Sequence, residues 1–236
     1  MEALRWGIIG PGSIARDFAD DLKLAPGKQK VTSVLSHRRE SATEFAEEYH
    51  IGSIHTELSD FIKEREFDVV YIATPHPLHY EEAKQCLLNG IPVLCEKPMV
   101  MNSGQAAELL DLSKEKNTFL LEGMWIRFLP SIKKVLALIA SGEIGSVISV
   151  KASMSFLAPK DPSSRYFNPE LGGGSLLDLG IYPVFLAQLV LGTPSVIKAN
   201  GKLSAQGIDE TCSMLFQYPG GEHASLESSI IQTEAG

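Results

Sequence analysis

Near its start the chain reads Gly10-Pro11-Gly12-Ser13-Ile14-Ala15, with two glycines and a small residue at fixed spacing. A short apolar segment, Trp6 to Ile9, precedes this stretch, and an amphipathic segment that begins at Ser13 follows it. Between a strand and a helix, such glycines allow a tight turn and a close approach of the backbone to a phosphate, and the small residue lets the helix pack on the sheet. The stretch therefore predicts a dinucleotide-binding turn. The residues predicted to contact the dinucleotide here are Gly10, Gly12, Ser13 and Ile14.

Outward from this turn, short apolar runs alternate with amphipathic segments. The run Asp68-Val69-Val70-Tyr71-Ile72-Ala73 is almost continuously apolar, as is typical of a central parallel strand. After Glu122 the pattern changes to helices and alternating strands, with a hairpin turn at Tyr218-Pro219-Gly220-Gly221. We therefore predict an α/β protein: a doubly wound parallel Rossmann sheet over residues 1–123, then an α+β domain with a mainly antiparallel open sheet over residues 124–236.

Composition limits the possible partners. The 236 residues include 21 Lys and Arg against 29 Asp and Glu, a net charge of −8, which opposes a general nucleic-acid role. Cys86, Cys95 and Cys212 form no CxxC pair, so we expect neither a disulfide framework nor a metal site. We see no signal-peptide segment and no apolar run long enough to span a bilayer, and expect a cytoplasmic protein with no membrane partner.

The end of the second predicted strand bears on the choice of cofactor. It reads Leu35-Ser36-His37-Arg38-Arg39, where an NAD enzyme usually carries an acidic residue for the ribose hydroxyl. A guanidinium and a hydroxyl bind a 2′-phosphate, which a carboxylate would repel. Ser36, His37 and Arg38 therefore favour NADP over NAD, although a solvated arginine pair at a helix start has the same pattern.

Two further loops follow predicted strands at the same edge of the sheet. Thr74, Pro75, His76 and His79 follow the central strand, where a cofactor should pass. Either histidine could contact cofactor or substrate, or be an ordinary loop or cap residue.

Glu96-Lys97-Pro98 ends the next strand. Partial burial and a cationic nicotinamide would both lower the pKa of Lys97, as proton transfer requires. We therefore predict that Glu96, Lys97 and Pro98 adjoin the cofactor, with Lys97 as the proton-handling residue.

A carboxylate and a phenol occur four residues apart in the second half. Asp178 and Tyr182 follow the glycine-rich stretch Gly172-Gly173-Gly174-Ser175, and this spacing places them on one helix face. They are candidate site residues, with a capping aspartate and a packed tyrosine as the alternative.

Three motifs together, in this order, resemble the glucose-fructose oxidoreductase/inositol dehydrogenase/MocA family: Gly10-x-Gly12-x-x-Ala15, Glu96-Lys97-Pro98 and Gly173-Gly174-x-x-x-Asp178-x-Gly180-x-Tyr182. A closer likeness is to the branch of dimeric dihydrodiol dehydrogenases and NADP-dependent D-xylose 1-dehydrogenases. It rests on Cys95-Glu96-Lys97-Pro98, Leu121-Glu122-Gly123-Met124-Trp125-Ile126-Arg127-Phe128 and Gln217-Tyr218-Pro219-Gly220. The resemblance covers the whole chain.

The resemblance implies roles for individual residues. Lys97 matches the lysine taken as catalytic, and Asp178 and Tyr182 match the pair at the substrate, with Tyr182 as an alternative acid/base. Trp125, Arg127 and Phe128 are expected to line the substrate pocket, and Trp125 and Arg165 to reach the cofactor. Family chains continue beyond the point where this sequence ends, so we expect the second sheet to be incomplete here. In the full-length form that sheet would form a homo-oligomer.

The combined expectation is a dehydrogenase acting on CH-OH or CH-CH donors. It would transfer a hydride between a carbinol of a sugar or cyclic trans-dihydrodiol and NADP, with NAD as the alternative cofactor. A non-catalytic NADP-binding regulator of the same fold is one rival. Reduction of another small carbonyl compound, such as a deoxysugar intermediate or a bile pigment, is the other.

Overall fold

A computed structural model describes residues 2–159, 161 and 164–233 of the chain. Its backbone contacts divide it between Gly123 and Met124 into two units, Met1–Gly123 and Met124–Gly236. Each unit is built around its own sheet.

The first unit is a six-stranded parallel sheet with the strand order β3-β2-β1-β4-β5-β6. This is the order of a Rossmann fold, in which β1 and β4 flank the point where the chain reverses its direction of winding. The strands are β1 Leu4–Ile9, β2 Gln29–Leu35, β3 Ser53–His55, β4 Val69–Ile72, β5 Val93–Cys95 and β6 Leu120–Glu122. The helices are α1 Ser13–Asp21, α2 Arg39–Tyr49, α3 Leu58–Glu64, α4 His76–Leu88 and α5 Ser103–Glu115.

Helices cover both faces of this sheet. On one face, α1 and α2 contribute Ala15 and Phe45 to a core that includes Tyr71 of β4. On the other, α3 and α4 contribute residues such as Phe61 and Leu87 to a second core. Every residue of β4 is buried, which accounts for its continuous apolar run. The predicted doubly wound sheet is therefore confirmed.

The second unit contains a four-stranded sheet with the order β7-β10-β9-β8. β7 and β10 are parallel and the other two pairs are antiparallel, so the predicted mainly antiparallel sheet is confirmed. Its strands are β7 Ser149–Ser155, β8 Val196–Leu203, β9 Asp209–Gln217 and β10 His223–Ser229. Its helical segments are a 3₁₀ turn Trp125–Phe128, α6 Pro130–Ala140, a 3₁₀ turn Pro169–Leu171, a π-helical turn Leu176–Gly180 and α7 Ile181–Leu191.

One face of this sheet packs against α7 and the other is exposed. Inward residues such as Met214, Phe216 and Leu226 form a core with Ala187 of α7. Between them, Leu215, on the opposite face of β9, is 38% exposed. β8 is exposed along its whole length. The sheet is thus open on one face and along one edge strand.

One sequence expectation requires correction. The stretch Pro169–Leu191, 23 residues long with a mean hydropathy of 1.6, is long and apolar enough to cross a membrane by length and composition alone. Gly172 and Gly174 interrupt it with backbone φ angles of 70° and 123°. Beyond them, Val184, Ala187 and Leu191 pack on the sheet core of the second unit. We therefore interpret this stretch as a sheet-covering helix, because its apolar side chains already have partners.

Candidate functional site

The glycine-rich turn connects β1 to α1. Gly10 has a φ of 85°, and a Cβ there would lie 2.7 Å from Thr74 Cγ2 and 2.8 Å from the Thr74 backbone nitrogen. Only glycine fits, because the loop after β4 crosses close to the turn. A Cβ on Gly12 would meet no atom within 4 Å, so this side of the turn is open to a ligand. Ala15 is fully buried, as close packing of α1 on the sheet requires.

The start of α1 can bind an anion. Gly12 caps the helix without a side-chain hydrogen bond, and Ser13 and Ile14 follow as its first two residues. The first amides of a helix have no intrahelical acceptor and carry the positive end of the helix dipole. Gly12, Ser13 and Ile14 are all exposed. The geometry therefore fits the diphosphate of a dinucleotide.

Beside this turn, the end of β2 presents polar and basic groups. Ser36 is half-buried, and its Oγ accepts a hydrogen bond of 3.3 Å from the backbone amide of Arg38. His37 and Arg38 are exposed. No carboxylate occurs from position 36 to 39, so a ribose 2′-phosphate would meet no like charge at these positions.

The loop after β4 is held by a buried carboxyl group on α4, Glu82, which was not among the residues predicted from the sequence. Thr74 Oγ1 donates a 2.5 Å hydrogen bond to Glu82 Oε2 of α4. Burial raises the pKa of Glu82 to about 7, although the Thr74 hydroxyl opposes this by stabilising the carboxylate. Pro75 caps α4 and His76 is its first residue. Glu82 thus fixes the threonine against which Gly10 packs.

His79 connects two loops of the candidate site. Its Nδ1 lies 2.9 Å from the carbonyl oxygen of Pro98 and its Nε2 lies 2.7 Å from that of Thr74. Burial lowers the pKa of His79, against the opposing effect of the two carbonyls. The predicted direct contact of His79 with a cofactor is corrected, because the residue has no exposed surface. It braces the loops instead.

Lys97 lies in a loop that several groups hold. The Lys97–Pro98 peptide bond is cis, Lys97 is half-buried and Pro98 is buried. Glu96 Oε2 accepts from the Lys97 amide at 3.2 Å, and Glu96 Oε1 accepts from the hydroxyl of Tyr71 at 2.6 Å. After the proline, the Met99 amide donates to Glu122 Oε1 at 2.8 Å. Two carboxylates thus fix the backbone on either side of the lysine–proline pair.

In the second unit, Asp178 and Tyr182 lie on consecutive helical segments. Asp178, on the π-helical turn, is 5% exposed, and Arg165 Nη1 and Nη2 donate to its two oxygens at 3.3 Å each. Burial is the largest single influence and works to lower the pKa of Arg165, but Asp178 and Tyr166 together outweigh it and the pKa is raised. Trp125 Nε1 donates to the Tyr182 hydroxyl oxygen at 3.0 Å. The structure therefore places Arg165 with Asp178, and Trp125 with Tyr182.

The remaining predicted pocket residues belong to the 3₁₀ turn. Trp125 and Phe128 are 53% and 51% exposed, and Arg127 is also exposed. A turn of this kind, with exposed aromatic rings and a cation, presents flat surfaces to a small polar ligand. These three residues were expected at the substrate only because of the family resemblance, and the turn itself was not predicted.

A second residue absent from the sequence predictions anchors the helix that carries Asp178. Asp209, at the start of β9, accepts from Ser175 Oγ at 2.8 Å and from the Leu176 amide at 2.7 Å, both through Oδ2. Ser175 also lies 3.0 Å from Ser228 Oγ of β10. Gly174, with a φ of 123°, leaves room for this carboxylate, since a Cβ there would overlap Asp209 Oδ1. Nothing in the local sequence around Asp209 indicates this role.

Within the described residues, no group of three or more His, Cys, Asp or Glu side chains could hold a metal ion. The candidate residues offer an ammonium for proton transfer in one unit, and a carboxylate–guanidinium pair with a phenol in the other.

Comparison with family models matches both units. Residues 4–124 match an oxidoreductase family with an NAD-binding Rossmann fold, GFO_IDH_MocA. Residues 132–235 match the GFO/IDH/MocA C-terminal domain.

Individual relatives agree with these models. The chain is 36% identical over 231 residues to the trans-1,2-dihydrobenzene-1,2-diol dehydrogenase of Mus musculus, covering 97% of this chain and 69% of that protein. It is 33% identical to the enzyme of the same name from Homo sapiens, over 97% of this chain and 69% of that one.

Solved structures are similar as well. KijD10, a 3-ketoreductase from Actinomadura kijaniata in complex with NADP and TDP-benzene, is 27% identical with a TM-score of 0.86, over 97% of this chain and 71% of that chain. GenD2 from gentamicin A biosynthesis, in complex with NAD, is 25% identical with a TM-score of 0.89. The match covers 100% of this chain and 68% of that chain. Because the family models match both units and the relatives exceed 30% identity, the chain belongs to the GFO/IDH/MocA family of NAD(P)-binding oxidoreductases.

Proposed function

We propose that this oxidoreductase is an NADP-dependent dehydrogenase that transfers a hydride between a carbinol of a sugar or cyclic trans-dihydrodiol and NADP. The observation that carries the proposal is the lysine loop. Lys97 follows β5 of a Rossmann sheet, and Glu96, His79 and Glu122 hold the backbone of residues 97, 98 and 99, respectively, through hydrogen bonds. A lysine held in this way is suited to proton transfer at a fixed position.

The cofactor supplies the hydride acceptor or donor. A carbinol loses a hydride readily only when its hydroxyl proton leaves as well, and we assign that proton to Lys97, with Tyr182 as partner or alternative. Asp178, paired with the guanidinium of Arg165, accepts hydrogen bonds from substrate hydroxyls. Trp125 donates to the phenol oxygen, so the phenol directs its own proton elsewhere.

For the cofactor itself, the proposed contacts are the amides of Gly12, Ser13 and Ile14 with the diphosphate, and Ser36, His37 and Arg38 with the 2′-phosphate. Gly10, Thr74, Pro75, His76, Glu96, Pro98, Trp125 and Arg165 complete the proposed cofactor set. Titration of NADPH and NADH against the protein tests the preference. One charge-assisted contact is worth roughly 1.5–3 kcal/mol, which corresponds to about a tenfold to hundredfold tighter binding of NADPH. Equal affinities would contradict the proposal.

Two observations support this substrate class: the similarity of the chain to named relatives, and the candidate site residues of the second unit. The mammalian relatives at 33–36% identity are named for a trans-dihydrodiol. The carboxyl oxygens of Asp178 favour a ligand with hydroxyl donors, and the exposed rings of Trp125 and Phe128 favour a ring with an apolar face. Aldoses and cyclic trans-dihydrodiols have both features.

A panel assay tests the activity. The protein is incubated with NADP and a series of aldoses, trans-dihydrodiols and simple alcohols, and formation of NADPH is followed at 340 nm. We expect turnover with at least one sugar or dihydrodiol, and turnover lower by a factor on the order of 10²–10⁴ with Lys97→Met. NADPH binding without turnover on any member of the panel would favour the non-catalytic regulator instead.

A second candidate reaction is the reduction of a keto sugar. The similarity to KijD10, described as a 3-ketoreductase, favours it. Oxidation of NADPH by keto sugars, but no reduction of NADP by the alcohols, would identify this direction.

We also propose that the protein forms a homo-oligomer through the exposed face of the second sheet. On the side away from α7, Lys198 of β8 lies beside Leu215, and Glu227 of β10 lies diagonal to Leu215. Opposite charges around an apolar residue suit a self-complementary contact between two copies.

A further inference from the structure

Arg16, on α1, contacts the glycine-rich turn and is not among the proposed cofactor-binding residues. Its Nη1 donates to the carbonyl oxygen of Pro11 at 3.1 Å, with a longer contact of 3.5 Å to the carbonyl oxygen of Gly12. The Arg16 backbone amide also donates to the Gly12 carbonyl, at 3.3 Å. The guanidinium therefore holds the carbonyl groups of Pro11 and Gly12, and Gly12 is the residue whose Cβ direction is open to a ligand.

Groups on α2 hold this guanidinium in place. Its Nε donates to Glu48 Oε2 at 2.9 Å, and its central carbon lies 5.5 Å from the centre of the Phe45 ring. The hydroxyl of Tyr49 donates to the Arg16 carbonyl oxygen at 3.3 Å. Because the Arg16 side chain keeps 34% of its surface exposed, its charge is neither buried nor fully solvated.

We infer that Arg16 is a positioning residue for the cofactor diphosphate. Its hydrogen bonds fix the peptide planes of Pro11 and Gly12, so that the amides at the start of α1 are set in their binding orientation before the ligand arrives. Its positive charge also adds to the attraction of the helix terminus for an anion. This inference rests on the proposed binding of NADP at the turn.

A positioning role for Arg16 predicts different effects on two kinds of ligand, which a merely structural role does not. Arg16 acts on the diphosphate and lies at the turn, whereas the 2′-phosphate is assigned to Ser36 and Arg38. Removal of Arg16 should therefore weaken ligands that contain the diphosphate and leave those that lack it unchanged. NADPH and adenosine 2′-monophosphate are suitable probes of the two cases.

The test measures dissociation constants of both probes for the full chain, by NADPH fluorescence and by competition, in the parent and in Arg16→Met. We expect the dissociation constant of NADPH to rise about tenfold, which corresponds to about 1.4 kcal/mol, and that of adenosine 2′-monophosphate to stay within twofold. Lys23→Met is the matched control. Lys23 follows the same helix and pairs with Asp20 at 2.6 Å, so this variant removes one positive charge with no direct contact to the turn.

Glu48→Gln provides a second variant in case Arg16→Met fails to fold. It keeps the arginine but removes its anchor, and we expect NADPH binding to weaken about threefold with no change for adenosine 2′-monophosphate. Unchanged NADPH affinity in the folded variants would overturn the inference, and so would an equal loss for both probes or for Lys23→Met. A parent protein that does not bind NADPH at all would instead refute the proposed function.

Discussion

Glu82 shows how a single buried residue can make stability depend on pH. Its unperturbed carboxyl titrates near 4.5, whereas burial raises the folded-state pKa to about 7. Between these values the folded protein keeps a proton that the unfolded chain has lost. The stability contribution is therefore fully present below about pH 4.5 and is lost as the pH rises through about 7. This difference between the folded and unfolded pKa values of Glu82 corresponds to about 3 kcal/mol in the free energy of unfolding.

The variant Glu82→Gln removes this titration but keeps an oxygen that accepts the hydroxyl hydrogen bond of Thr74. We expect it to be more stable than the parent at pH 8, by roughly 1–3 kcal/mol, and to differ from it by less than about 1 kcal/mol at pH 5. Urea unfolding at both pH values measures the difference. The same difference at pH 5 and pH 8 would show that Glu82 titrates normally.

Lys97 is the residue on which the proposed chemistry depends most. In the active protein, Lys97→Met should lower turnover by a factor on the order of 10²–10⁴, the usual cost of losing a general acid or base. NADPH affinity should change little. Tyr182→Phe should cost the same or less, because water can replace a phenol more easily than an ammonium. Near-normal turnover of Lys97→Met across a range of pH would move the proton-handling role to Tyr182.

At the scale of elements, the turn between β1 and α1 offers two glycines with opposite surroundings. Gly10 has a positive φ and its missing Cβ would overlap Thr74, whereas Gly12 has an ordinary φ of −84° and open space around its missing Cβ. Gly10→Ala should therefore destabilise the fold by at least about 1–3 kcal/mol. Gly12→Ala should keep the stability of the parent and lose NADPH affinity, because its methyl group occupies the path of the diphosphate.

Thermal unfolding and NADPH titration of both variants check this pair. Each variant is the control for the other, since both add one methyl group to the same turn. A stable Gly10→Ala, or a Gly12→Ala that binds NADPH as the parent does, would contradict the structure of the turn.

Some of these helices and strands could be predicted from the sequence and others could not. A strand was predicted over Trp6 to Ile9 and a helix from Ser13, and the structure has β1 at Leu4–Ile9 and α1 beginning at Ser13, because the apolar run and the glycine-rich turn mark these segments. The π-helical turn Leu176–Gly180 was predicted as ordinary helix. It packs through Gly180 against Ser228, which is distant in sequence, so no local pattern could reveal it.

The candidate site residues also divide into those that the sequence identified and those that it did not. Motif residues such as Gly10 and Lys97 were identifiable because their chemistry requires fixed neighbours in sequence. Asp209 and Glu82 were not, since their roles depend on partners 33 and 8 residues away. His79 was identified as a candidate, but only its burial reveals that it braces loops.

For the whole molecule, the open sheet face predicts association between copies. A stable dimer interface has a desolvated apolar centre, and Leu215 is the large apolar residue at the middle of this face, between Lys198 on β8 and Ser225 on β10. Leu215→Glu would replace this apolar centre with a charge that each copy must desolvate, so it should shift the protein toward monomers, with a dissociation constant at least about a hundredfold higher.

Light scattering coupled to gel filtration, over a range of protein concentrations, measures this shift. The matched control is Leu24→Glu, the same substitution at a leucine that is 85% exposed in the first unit. It should leave the oligomeric state unchanged. Because Leu215 points away from the core of its own unit, both variants should unfold at the temperature of the parent in the monomeric state. A parent that is monomeric at all concentrations, or a Leu215→Glu that associates as the parent does, would place the oligomer contact elsewhere or remove it altogether.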